Sequence, residues 1–251
     1  MQRTKIEWTD ISWNPETGCN RGCWYCYANR MFTRFHKSFK PTFYPERLNE
    51  IWNLKPPTER NNLHRKPWIA KAFPQNWLIF ICSVADLFAS WTDPWWRDQI
   101  LNAMWTCCRS HIYQLLTKNP ERIPLDYDFP ENVWVGTTVT NENLDFLNIG
   151  ALKKVHAKTK FVSFEPLLGS LPKVPDISLQ GIQWIILGKL TGSRKVPLQK
   201  AWVYDILGKA KQYDVPVFMK DSLFQVTIKT LSETLDIREQ RREFPNWQRS
   251  T

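Results

Sequence analysis

The sequence predicts an α/β fold, a partial TIM-like (β/α) barrel of about six to seven parallel strands. Three observations carry that prediction. Short apolar runs alternate with amphipathic stretches along most of the chain, which is how a strand–helix repeat reads. Several runs are continuously apolar, as strands buried on both faces are. Nearly every run also ends on polar side chains, and parallel barrels build their sites at the carboxyl ends of strands.

Residues 6–13 read as the first strand, stopped by Pro15, with a cysteine-rich loop after it and a helix over 27–36. Residues 37–76 form a long, polar, loop-rich insertion, a candidate lid or substrate contact. Trp77-Leu78-Ile79-Phe80-Ile81-Cys82 is the second strand, ending in Ser83-Val84-Ala85-Asp86. Asp93-Pro94 opens a helix with a cap and a first-turn proline, its apolar face being Trp96, Ile100, Met104 and Cys107. Residues 112–116 make the third strand, before Thr117-Lys118. Residues 132–136 make the fourth, before Thr137-Thr138-Val139-Thr140. A short helix over 147–156 leads to the fifth strand, 160–165, closed by Pro166. Residues 184–187 are the sixth strand, 199–213 a helix, and 215–219 a short seventh strand before Lys220-Asp221. This places one barrel domain over 1–221 and a charged tail over 222–251. No internal repeat is visible.

The chain has 251 residues, 43% hydrophobic and 23% charged, enough for a sizeable core. It lacks an apolar run of membrane-spanning length, and Met1 to Asp10 is too polar for a signal peptide, so a cytoplasmic protein is expected. With only 9 glycines it carries neither dinucleotide nor Walker-type phosphate loops. The net charge of +10 divides into +7 over residues 1–75, −5 over 76–152 and +8 over 153–251. Two basic flanks suit a polyanion, and surplus Trp and Tyr suit stacking on unpaired bases, with Trp68 and Trp77 bordering the insertion.

The strongest chemical signal is Gly18-Cys19-Asn20-Arg21-Gly22-Cys23-Trp24-Tyr25-Cys26. Three thiolates on one loop can hold three irons of a [4Fe–4S] cluster. The fourth iron then stays open to a small molecule, and S-adenosylmethionine (SAM) bound there can be cleaved to start radical chemistry. A zinc site is the rival, but the usual second knuckle is missing and His36 is the only nearby fourth ligand. Cys82, Cys107 and Cys108 read as buried small hydrophobes, and a disulfide framework has no support in the spacing.

At the strand ends, Ser83, Asp86, Thr137 and Thr138 are candidate SAM contacts, Asp86 for its ammonium group, and Tyr25 on the cysteine loop is a further one. Glu165 follows an apolar strand and needs a polar cavity or a cation beside it, for which Lys118 and Lys220 are candidates. Glu165, Lys118 and Lys220 are the candidate catalytic residues, with Glu165 also a candidate SAM contact.

The cysteine spacing, three residues then two with aromatic Tyr25 before the third Cys, resembles the radical SAM superfamily. Thr4-Lys5-Ile6-Glu7-Trp8-Thr9-Asp10, running through Trp13-Asn14-Pro15 into Gly18-Cys19, further resembles a phage-associated three-cysteine family of unknown function. Matches continue at 83–88, Leu116-Thr117-Lys118, Trp134-Val135-Gly136, 163–168 and Val215-Pro216-Val217-Phe218 with Lys220. The resemblance implies the partial barrel, the cluster and SAM, with no settled substrate. Two positions depart from the family. Gly188-Lys189-Leu190-Thr191 stands where a Gly-Gly-Glu-Ser run is usual, and Thr140 where Glu is usual, so two carboxylates are missing.

The expected protein is therefore a radical SAM enzyme. Its electron donor is a flavodoxin or ferredoxin, and its substrate a nucleic acid or modified base, with a peptide as the alternative. A non-enzymatic Fe–S or zinc-stabilised nucleic-acid-binding protein is the competing class.

Overall fold

The computed structural model describes residues 1–107, 110–141, 145–171, 178–192, 196–223 and 242–246. Cys108 and most of the expected tail lie outside them. The described residues are mixed α/β. They form a mostly parallel sheet in the order β1-β2-β5-β6-β7-β8-β9-β10, with a separate β3–β4 pair. The ladder ends at β1 and β10 and does not close on itself. Among the described residues no helix is long and apolar enough to cross a membrane. Two compact units divide the chain, residues 1–135 with 156–158, and residues 136–155 with 159–251. The division falls inside β7 and not near residue 221.

The first unit begins with β1 (Gln2–Arg3), antiparallel to β2 (Ile11–Trp13). Residues 6–10, expected in that strand, lie outside it, and Thr9 and Asp10 are tied to Leu78 by both backbone and side-chain bonds. The Thr9 hydroxyl donates to the Leu78 carbonyl at 2.9 Å, and the Asp10 carboxylate accepts the Leu78 N–H. Asp10 also forms a buried ion pair with Arg65 at 2.7 Å. β3 (Glu16–Thr17) and β4 (Thr42–Phe43) flank the cysteine loop and α1 (Tyr27–Arg34). The insertion is less irregular than its sequence suggests, with α2 (Asn49–Trp52), α3 (Glu59–Asn62) and α4 (Pro67–Ala72) within it.

β5 (Leu78–Ile81) pairs in parallel with β2 and with β6 (Ile112–Thr117), in the register Ile11↔Ile79 and Ile79↔Tyr113. All four β5 residues are buried, which their unbroken apolar run anticipates. Asp93 caps α5 (Pro94–Thr106) by accepting the Trp95 N–H at 2.8 Å, and Ile100, Leu101 and Met104 face the core. Trp96 stacks on Phe43 instead. β7 (Val133–Thr138) is longer than expected and takes in Thr137 and Thr138.

In the second unit α6 (Asn148–Lys153) precedes β8 (Thr159–Leu167), which runs past Glu165 and Pro166 with a register shift between Phe164 and Leu167. β9 (Trp184–Lys189), α7 (Lys200–Gln212) and β10 (Val217–Met219) follow, with β8, β9 and β10 parallel. Part of the expected tail belongs to this unit. Phe244 stacks on Trp184 at 5.4 Å, and the Glu243 carboxylate accepts the Val217 N–H at 2.8 Å.

Candidate functional site

The cysteine loop is anchored at its start by backbone bonds to two other segments. Gly18 donates to the Val84 carbonyl and Cys19 to the Phe39 carbonyl, each at 3.0 Å. Gly18 adopts φ +92°, and a Cβ there would stand 2.2 Å from the Lys40 carbonyl oxygen, so only glycine passes this point. Further along, Cys26 N–H donates to the Cys23 carbonyl at 3.1 Å. The Cys26 sulfur caps α1, accepting the Asn29 N–H at 3.3 Å.

Cys19, Cys23 and Cys26 are all free thiols and all half-buried. Burial pushes the Cys19 thiol up to about 11, with Asp86, Cys23 and Cys26 adding to the rise and a backbone hydrogen bond at Arg21 opposing it. The three sulfurs thus sense one another. Even so, no group of three His, Cys, Asp or Glu among the described residues is gathered closely enough to hold a metal ion. Thiolates sharing one zinc must crowd onto it, whereas cluster thiolates each take a different iron and stand apart. Three half-buried thiols on one loop are a donor set that suits three irons of a cluster. His36, the expected fourth zinc ligand, sits exposed at φ +53°.

Asp86, 7% exposed, ties the ends of β5 and β6 together. One carboxylate oxygen accepts the Thr117 hydroxyl at 2.6 Å and the Phe88 N–H at 3.3 Å. The other accepts the Lys118 N–H at 3.0 Å and the Asn119 amide at 2.9 Å. Four donors meet the carboxylate expected to receive a SAM ammonium, and together they fasten this loop to the end of β6. Arg21 of the cysteine loop reaches the same corner, donating to the Lys118 carbonyl at 3.1 Å and to the Asn119 side chain. The Lys118 ammonium lies 5.3 Å from the centre of the Tyr25 ring. Ser83 donates to the Asn14 side chain at 3.0 Å and its carbonyl accepts the Tyr27 hydroxyl at 2.5 Å. The first unit thus gathers Tyr25, Ser83, Asp86 and Lys118 around the cysteine loop.

Glu16 is absent from the sequence expectations. It is fully buried, three residues before Cys19, and burial pushes its pKa up to about 7. The Thr92 hydroxyl opposes that shift and Asp86 adds to it. The Thr92 oxygen lies 2.8 Å from one Glu16 oxygen and 3.0 Å from the Asp86 carbonyl. As a donor to Glu16 the Thr92 hydroxyl favours the carboxylate, which is why it opposes the shift. No local pattern marks Glu16 for burial, because Thr92 lies far along the chain.

The remaining expected residues lie in the second unit. Thr137 and Thr138 are buried at the end of β7. Glu165 forms an ion pair with Lys220, one of the two cations considered for it, while Lys118 lies beside Tyr25 in the first unit. A Cβ at Gly188 would stand 3.0 Å from the side chains of both. Thr140 donates to Asp145 at 2.6 Å, so this position is occupied by a local cap.

Two cavities lie in the first unit. One, of about 430 Å³, includes Trp68 and Trp77, the aromatics expected to stack on bases. Both are fastened within the fold, their indole N–H groups donating to the Glu7 and Lys55 carbonyls. The other, of about 620 Å³, lies between Asn14, α1 and Tyr44-Arg47. None of the three cysteines lines either one.

A family model described as "Protein of unknown function (DUF5131)" matches residues 3–241. No curated protein and no solved structure matches the chain.

Proposed function

The chain belongs to the DUF5131 family of proteins of unknown function, and on its own residues we propose that it is a radical SAM enzyme. The single observation that carries this reading is the loop of three free, half-buried thiols at the carboxyl end of β2. Cys19, Cys23 and Cys26 would hold a [4Fe–4S] cluster, which with SAM on its open iron supplies reductive cleavage of the sulfonium and a 5′-deoxyadenosyl radical. Gly18 lets the loop close. The Arg21 and Asp86 contacts hold it against β5 and β6, and the Cys26 sulfur already takes a backbone N–H, a contact that tunes cluster potentials.

The open, mostly parallel sheet supports a partial TIM-like barrel as the finer fold. Tyr25 and Lys118, packed on each other beside the loop, and Ser83 would face the bound ligand. Thr137 and Thr138 stay as proposed SAM contacts. Glu165 and Lys220 form a paired acid and base for moving a proton in the second unit. A small acidic electron-transfer protein, a flavodoxin or ferredoxin, would supply the electron in a reducing cytoplasm, and the substrate class is a nucleic acid or modified base.

The test is anaerobic reconstitution with iron and sulfide, followed by SAM and a chemical reductant. Brown protein that releases 5′-deoxyadenosine supports the reading, with Cys23→Ala losing both properties. Colourless protein carrying zinc, or a Cys23→Ala variant that keeps iron and SAM cleavage, would falsify it.

A further inference from the structure

The helix after the cysteine loop carries a surface that the reading above leaves unused. Residues 17–45 hold Arg21, Arg30, Arg34, Lys37 and Lys40 and no acid. On α1 and its C-cap, Tyr27, Met31 and Phe35 recur every four residues and are 50%, 40% and 63% exposed. At 1.5 Å per helical residue this stripe runs about 12 Å. Large apolar groups left in water side by side mark a binding surface.

The same helix walls the 620 Å³ cavity. Met31 and Phe35 line one side, and Tyr44 another, with the Arg47 guanidinium 3.9 Å above its ring. Asn14 and Lys37 also line it. Its one acid, Glu50, is already paired with the Met1 amine. The volume is that of a small-molecule site, and its wall mixes aromatic and apolar side chains with polar and cationic ones, as a nucleotide requires.

We propose that a single-stranded nucleic acid lies along α1, with one nucleotide seated in this cavity. The aromatic rings offer faces for bases, the Asn14 amide can read a base edge, and Lys37 and Arg34 neutralise phosphates. A duplex keeps its bases stacked inside and has none to seat. An acidic protein would match the cations but leave the cavity empty. As the identity of the substrate this rests on the proposed function; as binding it needs no cluster.

The experiment measures anisotropy of labelled single-stranded DNA and RNA with the full chain, at about 50 mM and about 200 mM salt. Single strands should bind more tightly than duplex. Phe35→Ala should weaken binding about tenfold, the loss of one stacked base. Arg34→Glu with Lys37→Glu should flatten the salt dependence by about one to two units of logarithmic slope. All three side chains are exposed, so thermal melting should be unchanged. Absent binding at low salt, duplex bound as tightly as single strands, or variants that bind like wild type overturn the proposal. So does tight binding of polyglutamate with no binding of oligonucleotides, which would assign the surface to an acidic protein. Protein that makes 5′-deoxyadenosine but ignores oligonucleotides loses this proposal alone. Protein that binds them yet takes up no iron loses the enzymatic reading alone.

Discussion

Asp86 accepts the Thr117 hydroxyl at 2.6 Å, joining the loop after β5 to the last residue of β6. Three further donors complete the carboxylate's shell. A buried acceptor with this many partners is structural, since removing it strands donors that cost about 1–3 kcal/mol each. Asp86→Ala should lower apo-protein stability by about 2–4 kcal/mol, read as a fall in the urea midpoint. Wild-type stability in Asp86→Ala, with weakened SAM binding, would return Asp86 to the role of a ligand contact.

Glu16 should make stability depend on pH. Its folded value of about 7 lies above the ordinary 4.5, so the folded state holds a proton that the unfolded state releases between those values. The Glu16 contribution is therefore fully present below pH about 4.5, declines as pH rises and levels off above pH about 7. Glu16→Gln removes that decline. The stability difference between variant and wild type should shift in the variant's favour from pH 5 to pH 8, by on the order of 3 kcal/mol. Parallel pH profiles for the two proteins would show Glu16 is ionised in the fold.

Gly18→Ala should prevent the cysteine loop from closing. The clash is with the Lys40 backbone, not with a flexible side chain, and φ +92° is strained for alanine. We expect a sharp drop in iron and sulfide bound on reconstitution, while Gly22→Ala, strained at φ +70° but with open space around it, keeps more of both. Equal iron in the two variants would mean the loop closes by another route.

Glu165 and Lys220 should behave as a coupled pair. Lys220→Met alone leaves a partly buried carboxylate without this cation, and Glu165→Gln alone takes the negative charge from beside the Lys220 ammonium. A double-mutant cycle on thermal stability should give a coupling of about 1 kcal/mol, as both groups keep some solvent. Additive effects would show that the pair contributes no coupling energy.

The features legible in the sequence are those with a local cause. The cysteine spacing, the apolar run that becomes Leu78–Ile81 and the Asp93-Pro94 helix start depend on neighbours a few residues away, and so do the α/β class and the parallel strands. Strand ends were less legible. Residues 6–10 look like strand, yet Asp10 is claimed by Arg65, and Glu165 was read as lying at the end of a strand that runs on to Leu167. The candidate site divided in the same way. The residues around the loop are identifiable by position, but their hydrogen-bond partners are not. Asp86 became an anchor because Thr117, Lys118 and Asn119 converge on it, and Glu16 became a raised-pKa acid because folding buries it against Thr92. Likewise Trp77 is buried while Phe35 is left in solvent, though both are aromatics beside basic residues. Spacing and propensity act along the chain. Desolvation and hydrogen-bond partners are assigned by segments distant in sequence, so only the tertiary structure decides which polar groups keep their charge and which aromatic faces stay open.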